Sequence, residues 1–230
     1  MLVVTRGAFQ ARVNVTVVAN QTVAAPKAPL VSTGKLAYVR GIFDKIEEVV
    51  SEGLGNAIEE ISVADLANPA ITSKYRMIFL NCGLDESAVG SAATISNLRA
   101  FMQSGGTIYA SDFASIYVKD LFPTYNFAYA GDEQTIQATV TDASLQAFVG
   151  KTSVTIAYDL DSWTDVTQLP TGATVLLRGT YLAGGSQRAN QPIAFVVAHG
   201  SGRLVFTTFH NETGATQDQI AVLRHFIYLP

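Results

Sequence analysis

The chain has 230 residues, 48% of them hydrophobic and only 15% charged, with a formal net charge of −4. Soluble proteins usually carry about 25% charged residues, so this surface must lean on Ser, Thr, Asn, Gln and Gly, as secreted and cell-surface bacterial proteins do; a cytoplasmic protein is the alternative. No cluster of Lys and Arg occurs, which argues against nucleic acid as a partner. The single cysteine, Cys82, rules out an internal disulfide or a cysteine-rich metal site, and no apolar run approaches the roughly 18 residues of a membrane span.

The first residues, Met1 to Ala11, lack the sustained apolar stretch of a signal peptide, so the chain reads as a fragment of something longer or a processed form with an added Met. From Ala8 to Ala19, Phe9, Ala11, Val13, Val15 and Val17 alternate with polar or small residues, the period of a half-buried strand. Two readings fit: the last strand of an immunoglobulin-like sandwich, or an arm added to the main sheet. Either leaves a strand through which a second subunit could pair. Residues 20–34 are rich in Pro, Ala, Ser and Thr and read as a linker.

An α/β alternation follows. Lys35 to Val39 is a short strand. Ile42, Ile46, Val49, Val50 and Leu54 fall at helical spacing, with Gly53 and Gly55 as the stop. Ile61 to Val63 reads as a strand, and Tyr75 to Leu80 as a fully buried one. Ala88 to Gln103 is a helix stopped by Gly105 and Gly106, and Thr107 to Ala110 the next strand. Strands alternating with helices of this length predict right-handed crossovers and a mostly parallel sheet with helices on both faces. From about 126 to 190 the pattern turns β-rich: Gln134–Val140, Ser153–Tyr158, Ala173–Arg178 and Ile193–Ala198 are strand-like, and Ala143–Val149 is helical. This segment reads as an insertion returning to the sheet through a hairpin, with His199 to Gly202 as the turn and Arg203 to Thr208 as its second strand. Gln217 to Tyr228 is a closing amphipathic helix with Ile220, Leu223, Phe226 and Ile227 inward. The resulting division is residues 1–34, strand and linker, and 35–230, an α/β domain.

Open α/β sheets place their chemistry at the carboxyl ends of the strands, and three stretches qualify. His210 follows the last strand, with Glu212 two residues on, a base and an orienting carboxylate; the alternative is a histidine that caps a loop. Ser111 and Asp112 open the turn after Thr107–Ala110. They are a candidate nucleophile and ligand, or, as favoured, an N-cap for the helix that follows. Cys82 ends Tyr75–Leu80 and could pair with His210, but a small buried thiol is favoured, since free cysteine is commonly buried. His199 and His225 have no partner at ligand spacing, which argues against zinc. Gly184-Gly185-Ser186 lacks the strand-to-helix context of a phosphate loop, and Trp163 reads as a core aromatic. No cofactor and no metal is expected.

The order of these elements resembles the class I glutamine amidotransferase-like fold, a flavodoxin-like sheet, and its ThuA-like relatives, over about residues 35–125 and 190–230. Phe209-His210-Asn211-Glu212 matches that family's Phe-His-Pro-Glu motif except at the proline. The resemblance therefore implies a base role for His210 and an orienting role for Glu212. The family's nucleophile is a cysteine in a Gly-x-Cys-x-Gly elbow; here the place reads Ala110-Ser111-Asp112-Phe113-Ala114, with Asp112 replacing the cysteine and alanines replacing both glycines. An aspartate cannot form the thioester that glutamine hydrolysis requires. Two expectations follow. One is a non-catalytic domain of an extracytoplasmic or surface protein that binds a protein or a small molecule. The other is a hydrolase of an amide, ester or sugar-derived substrate that uses His210 and Glu212 with Ser111, Asp112 or Cys82.

Overall fold

The computed structural model describes residues 1–6, 9–28, 31–53, 56–211 and 215–229. The parallel sheet expected from the α/β alternation is formed by β4 (Lys35–Val39), β5 (Ile58–Ile61), β6 (Tyr75–Leu80), β7 (Thr107–Ser111) and β14 (Gly202–Thr207), lying side by side in the order β14-β7-β6-β4-β5. The inserted segment adds strands to the same sheet. β13 (Ser186–His199), β12 (Thr174–Ala183), β9 (Gln134–Val140) and β10 (Ser153–Tyr158) continue it beyond β14, each antiparallel to its neighbour. Hairpin turns enforce that direction for the pairs β12–β13 and β13–β14: Gly184 and Gly185, then Gly200, take the left-handed backbone that tight turns require. β8 (Asn126–Tyr129) and β11 (Thr164–Gln168), which the sequence pattern did not mark, pair as a separate ribbon.

Side-chain alternation along the parallel strands builds two cores. Leu36, Tyr38, Met77, Phe79, Tyr109 and Val205 point to one face; Ala37, Val39, Ile78, Leu80, Ile108, Ala110, Leu204 and Phe206 point to the other. The first face is covered by α1 (Ile46–Glu48), which continues as a π turn over Val49–Gly53, and by α5 (Ala143–Val149) and α6 (Gln217–Ile227). The second is covered by α3 (Ala92–Gln103) and α4 (Ser115–Leu121); α2 (Pro69–Thr72) is a single turn beside them. Several boundaries differ from expectation. Ile42 is exposed and precedes the helix, Leu54 and Gly55 lie outside the described residues, and the second strand runs over Ile58–Ile61, with Val63 opening a 3-10 turn capped by Ser62.

The N-terminus departs further. β2 (Phe9–Val13) lies outside the nine-stranded sheet rather than adding to it as an arm. It pairs with β1 (Leu2–Arg6) and with β3 (Val31–Ser32), so part of the expected linker is a strand. Val15 and Val17 lie beyond its end. Phe9 is fully buried and meets the ring of Tyr228 edge-on, 4.6 Å between centroids. Replacing Phe9 by Ala should remove about 3 kcal/mol of packing at this seam; hydrogen exchange should show β1 and β2 amides losing protection while β6 and β7 keep theirs.

Candidate functional site

The pairing register of the parallel strands sets the site. Val39 of β4 lies beside Leu80 of β6, Leu80 beside Ala110 of β7, and Ala110 and Ser111 beside Phe206 and Thr207 of β14. All four strands therefore end at one rim, and the residues that follow them, Asp44, Cys82, Asp112 and His210, are gathered there. Each of these side chains is buried, His210 the least, at 7% exposed. The hollow of about 420 Å³ lined by Lys74, Arg76, Phe101 and Gly106 lies at the opposite, amino ends of β6 and β7.

Asp112 occupies the elbow with φ +42°, a left-handed conformation that non-glycine residues rarely adopt. The left-handed backbone at Asp112 makes the turn after β7 a sharp one. Neither Ser111 nor Asp112 makes the side-chain cap expected of them, because both are recruited by tertiary partners. Ser111 Oγ donates to Asp44 Oδ2 at 2.5 Å. Asp112 Oδ1 accepts the backbone N–H of Thr164 at 2.7 Å, Asp112 Oδ2 accepts the Cys82 thiol at 3.4 Å, and the Asp112 carbonyl accepts the Thr164 hydroxyl at 3.0 Å. Thr164 belongs to β11, so the insertion is seated directly on the elbow.

His210 lies between two carboxylates. Its Nδ1 is 3.8 Å from Asp112 Oδ2, and its Nε2 is 3.1 Å from Asp159 Oδ1. Its loop is fixed by neighbours. Thr207 Oγ1 donates to the Phe209 carbonyl at 2.6 Å, Lys45 N–H to the Asn211 carbonyl at 3.2 Å, and Asn211 N–H to Asp44 Oδ1 at 3.2 Å. Asn211 Nδ2 donates to the hydroxyl of buried Tyr109 at 3.1 Å. Burial disfavours a charged imidazole, but the Asp112 carboxylate and the charges of Asp44 and Asp159 outweigh it and raise His210 to about 9. Burial raises Asp44 to about 6, against hydrogen bonds from Ser111 and from the backbone of Asn211 and Cys82 and the attraction of His210. Burial and the neighbouring Asp112 push the Cys82 thiol far up, so Cys82 is held as a thiol, in line with the small buried thiol expected.

Of the expected site residues, His210, Asp112, Ser111 and Cys82 share this rim. Glu212 lies outside the described residues, and Asp159 of the insertion takes the imidazole nitrogen that an orienting carboxylate would hold. Sequence reasoning passed over Asp44, Asp159 and Thr164. Asp44 had a usable signal, since it lies just past the carboxyl end of β4. Asp159 and Thr164 had none, because only the folded insertion brings them over the elbow. Trp163 is a core aromatic as read, stacked on Tyr158 at 3.7 Å. His199 meets Phe122 and His225 meets Phe148, both away from the rim.

No family model and no curated protein matches the chain. Solved structures do. A ThuA-like protein from Bacteroides uniformis superposes with a TM-score of 0.58 at 12% identity, over 89% of this chain and 93% of that one. A protein described as a GMP synthase component from Thermoplasma acidophilum gives a TM-score of 0.58 at 14% identity, over 84% and 92%. The β-galactosidase from Rahnella sp. R3 gives 0.55 at 15% identity, over 86% of this chain but only 32% of that larger one. At such identities the likeness establishes the fold: amidotransferase-like and ThuA-like.

Asp44 supplies a pH test. Its native pKa lies above the unfolded value of about 3.8, so folding favours its protonated form. That contribution is complete below about pH 3.8 and is lost as pH rises through about 6. A shift of this size corresponds to about 3 kcal/mol. Urea denaturation of wild type and Asp44→Asn should therefore show wild type losing stability relative to the variant between pH 4 and 7. A difference independent of pH would mean that Asp44 is not a buried proton carrier.

Proposed function

We propose that this chain is a non-catalytic domain of a bacterial extracytoplasmic or surface protein, in which an amidotransferase-like sheet serves as a scaffold for binding a partner or ligand. One observation carries the reading. The position of the family nucleophile is filled by Asp112, both of whose carboxylate oxygens are engaged, one by the insertion's Thr164 N–H and one by the Cys82 thiol.

A hydrolase needs a nucleophile activated by an adjacent base and room for substrate beside it. Ser111 gives its hydrogen bond to Asp44 rather than to His210. Cys82 is fully buried, and its thiol is made harder to ionise. The insertion covers the elbow where a substrate carbonyl would sit. A binding role is supported by the other end of the molecule. Among the described residues β1 is the edge strand of its sheet, and it exposes Leu2, Val3 and Val4; edges of this kind readily pair with another chain. In the Rahnella β-galactosidase the matched region is about a third of the polypeptide, so there the fold is one part of a longer chain. The low charge content supports placement outside the cytoplasm.

The test is a turnover screen on glutamine, simple amides, esters and glycosides, run with wild type and His210→Ala. Hydrolysis no faster than buffer is expected for both. Turnover by wild type that vanishes in His210→Ala would overturn the proposal. Asp112→Ala should instead act on stability: it strands the buried Thr164 N–H and costs about 1–3 kcal/mol, readable as a lower urea midpoint.

A further inference from the structure

We propose that Cys82, Asp112 and His210 together form a binding site for a zinc-type divalent cation, which ties three strand ends together beneath the insertion. One donor atom from each of the three buried residues lies within 4.8 Å of the other two. Asp112 Oδ2 is 3.4 Å from Cys82 Sγ and 3.8 Å from His210 Nδ1. The second separation is too long for a hydrogen bond. Both, however, are near the distance between ligand atoms on one tetrahedral cation: metal distances of about 2.3 Å to sulfur and about 2.0–2.2 Å to nitrogen or oxygen put ligands about 3.3–3.6 Å apart. Closing onto a cation would change the two Asp112 separations by only a few tenths of an ångström, and the Cys82–His210 pair, within 4.8 Å, by about 1 Å at most.

The chemistry of the set agrees. A thiolate, an imidazole and a carboxylate together suit zinc, whereas magnesium and calcium take oxygen donors. The surroundings are those of a ligand set already oriented. His210 Nε2 faces Asp159 Oδ1 at 3.1 Å, the carboxylate–histidine pairing that fixes a metal-binding ring, and Asp112 Oδ1 is held by Thr164 N–H. Asn81 and Asn211, next in the chain to Cys82 and His210, are fully buried, and neither side-chain oxygen accepts a hydrogen bond from a described residue. Spacing in the sequence could not disclose this site, since its members are 30 and 98 residues apart; zinc was argued against above from the histidines alone. Binding would release the Cys82 thiol proton and any proton on His210 to solvent, and no other group changes its covalent state. The inference concerns metal retention and does not depend on whether the domain turns over a substrate.

Because the three residues are enclosed in the folded chain, the cation is best offered during folding. The full chain would be unfolded in denaturant with a chelator, dialysed, refolded with Zn²⁺ or Co²⁺, and desalted. One metal per chain is expected to remain. The cobalt form should show a near-ultraviolet sulfur-to-cobalt band, and since Cys82 is the sole cysteine, that band identifies the ligand without any mutation. Cys82→Ala should lose both band and retention, and His199→Gln should keep both. Asp159→Asn, at a half-exposed position, should fold normally and bind about 10–100-fold more weakly. Wild type that refolds to native circular dichroism yet retains no stoichiometric metal, or retains cobalt without the sulfur band, overturns the proposal. So does unchanged affinity in Asp159→Asn. If Cys82→Ala fails to fold, the wild-type spectrum and the Asp159→Asn affinity still decide.

Discussion

Parallel pairing in register is the constraint on which the rest depends. Because β4, β6, β7 and β14 run the same way and stop at the same level, the segments that follow them must meet. Segments leaving strands carry backbone groups without ladder partners and side chains suited to turns, so a polar cluster at this rim is unavoidable. Once it is covered, every polar atom in it needs a partner. The contacts at the rim meet much of that demand: Ser111 on Asp44, Asn211 on Asp44 and Tyr109, Cys82 on Asp112, and Asp159 on His210, while the side-chain oxygens of Asn81 and Asn211 accept no hydrogen bond from a described residue. The imidazole stands among three carboxylates, whose charges favour its protonated form against the effect of burial.

The insertion turns this rim from a crevice into an interior. It is anchored twice. Its strands extend the sheet antiparallel from β14, and its ribbon brings Thr164 onto Asp112. Between those anchors Trp163 stacks on Tyr158 and donates from its indole N–H to the Asp132 carbonyl at 2.9 Å. Tyr158 in turn shares a hydrogen bond with Thr208 at 2.8 Å, one residue beyond the end of β14. Gly131 is required for this closeness, since a Cβ there would fall 2.1 Å from the Trp163 ring. Aromatic packing, a short hydrogen bond to the elbow and a continuous ladder make the cover part of the core. The rim is therefore packed as an interior rather than left as an open crevice.

Much of the α/β half was legible because its signals are local. Tyr75–Leu80 is apolar enough to be read as a strand buried on both faces, and it is one. Gly105 and Gly106 stop α3 where expected. His210 and Asp112 were found by their place after strands, which the order of elements determines. The misreadings arose where a neighbour distant in sequence decided the outcome. Ser111 and Asp112 have the composition of a helix cap, worth about 1 kcal/mol, but buried partners on β11 and after β4 compete for the same oxygens and win. Val15 and Val17 continue the alternation of β2, yet the pairing of β2 with β1 stops at Val13.

By itself, the sequence determined the alternation of strands and helices, the two-faced burial of the parallel strands, and the presence of an acid, a thiol and an imidazole after three of them. It also determined that no cysteine stands at the elbow. Tertiary structure alone decided that the insertion would join the sheet and close over the elbow, that Asp159 would lie beside the His210 ring, and that Cys82, Asp112 and His210 would come within ligand distance. The reason is one of range. Periodicity and turn chemistry act over a few residues, whereas these contacts join segments from 30 to more than 100 residues apart, and their geometry is fixed only when the strands between them have paired.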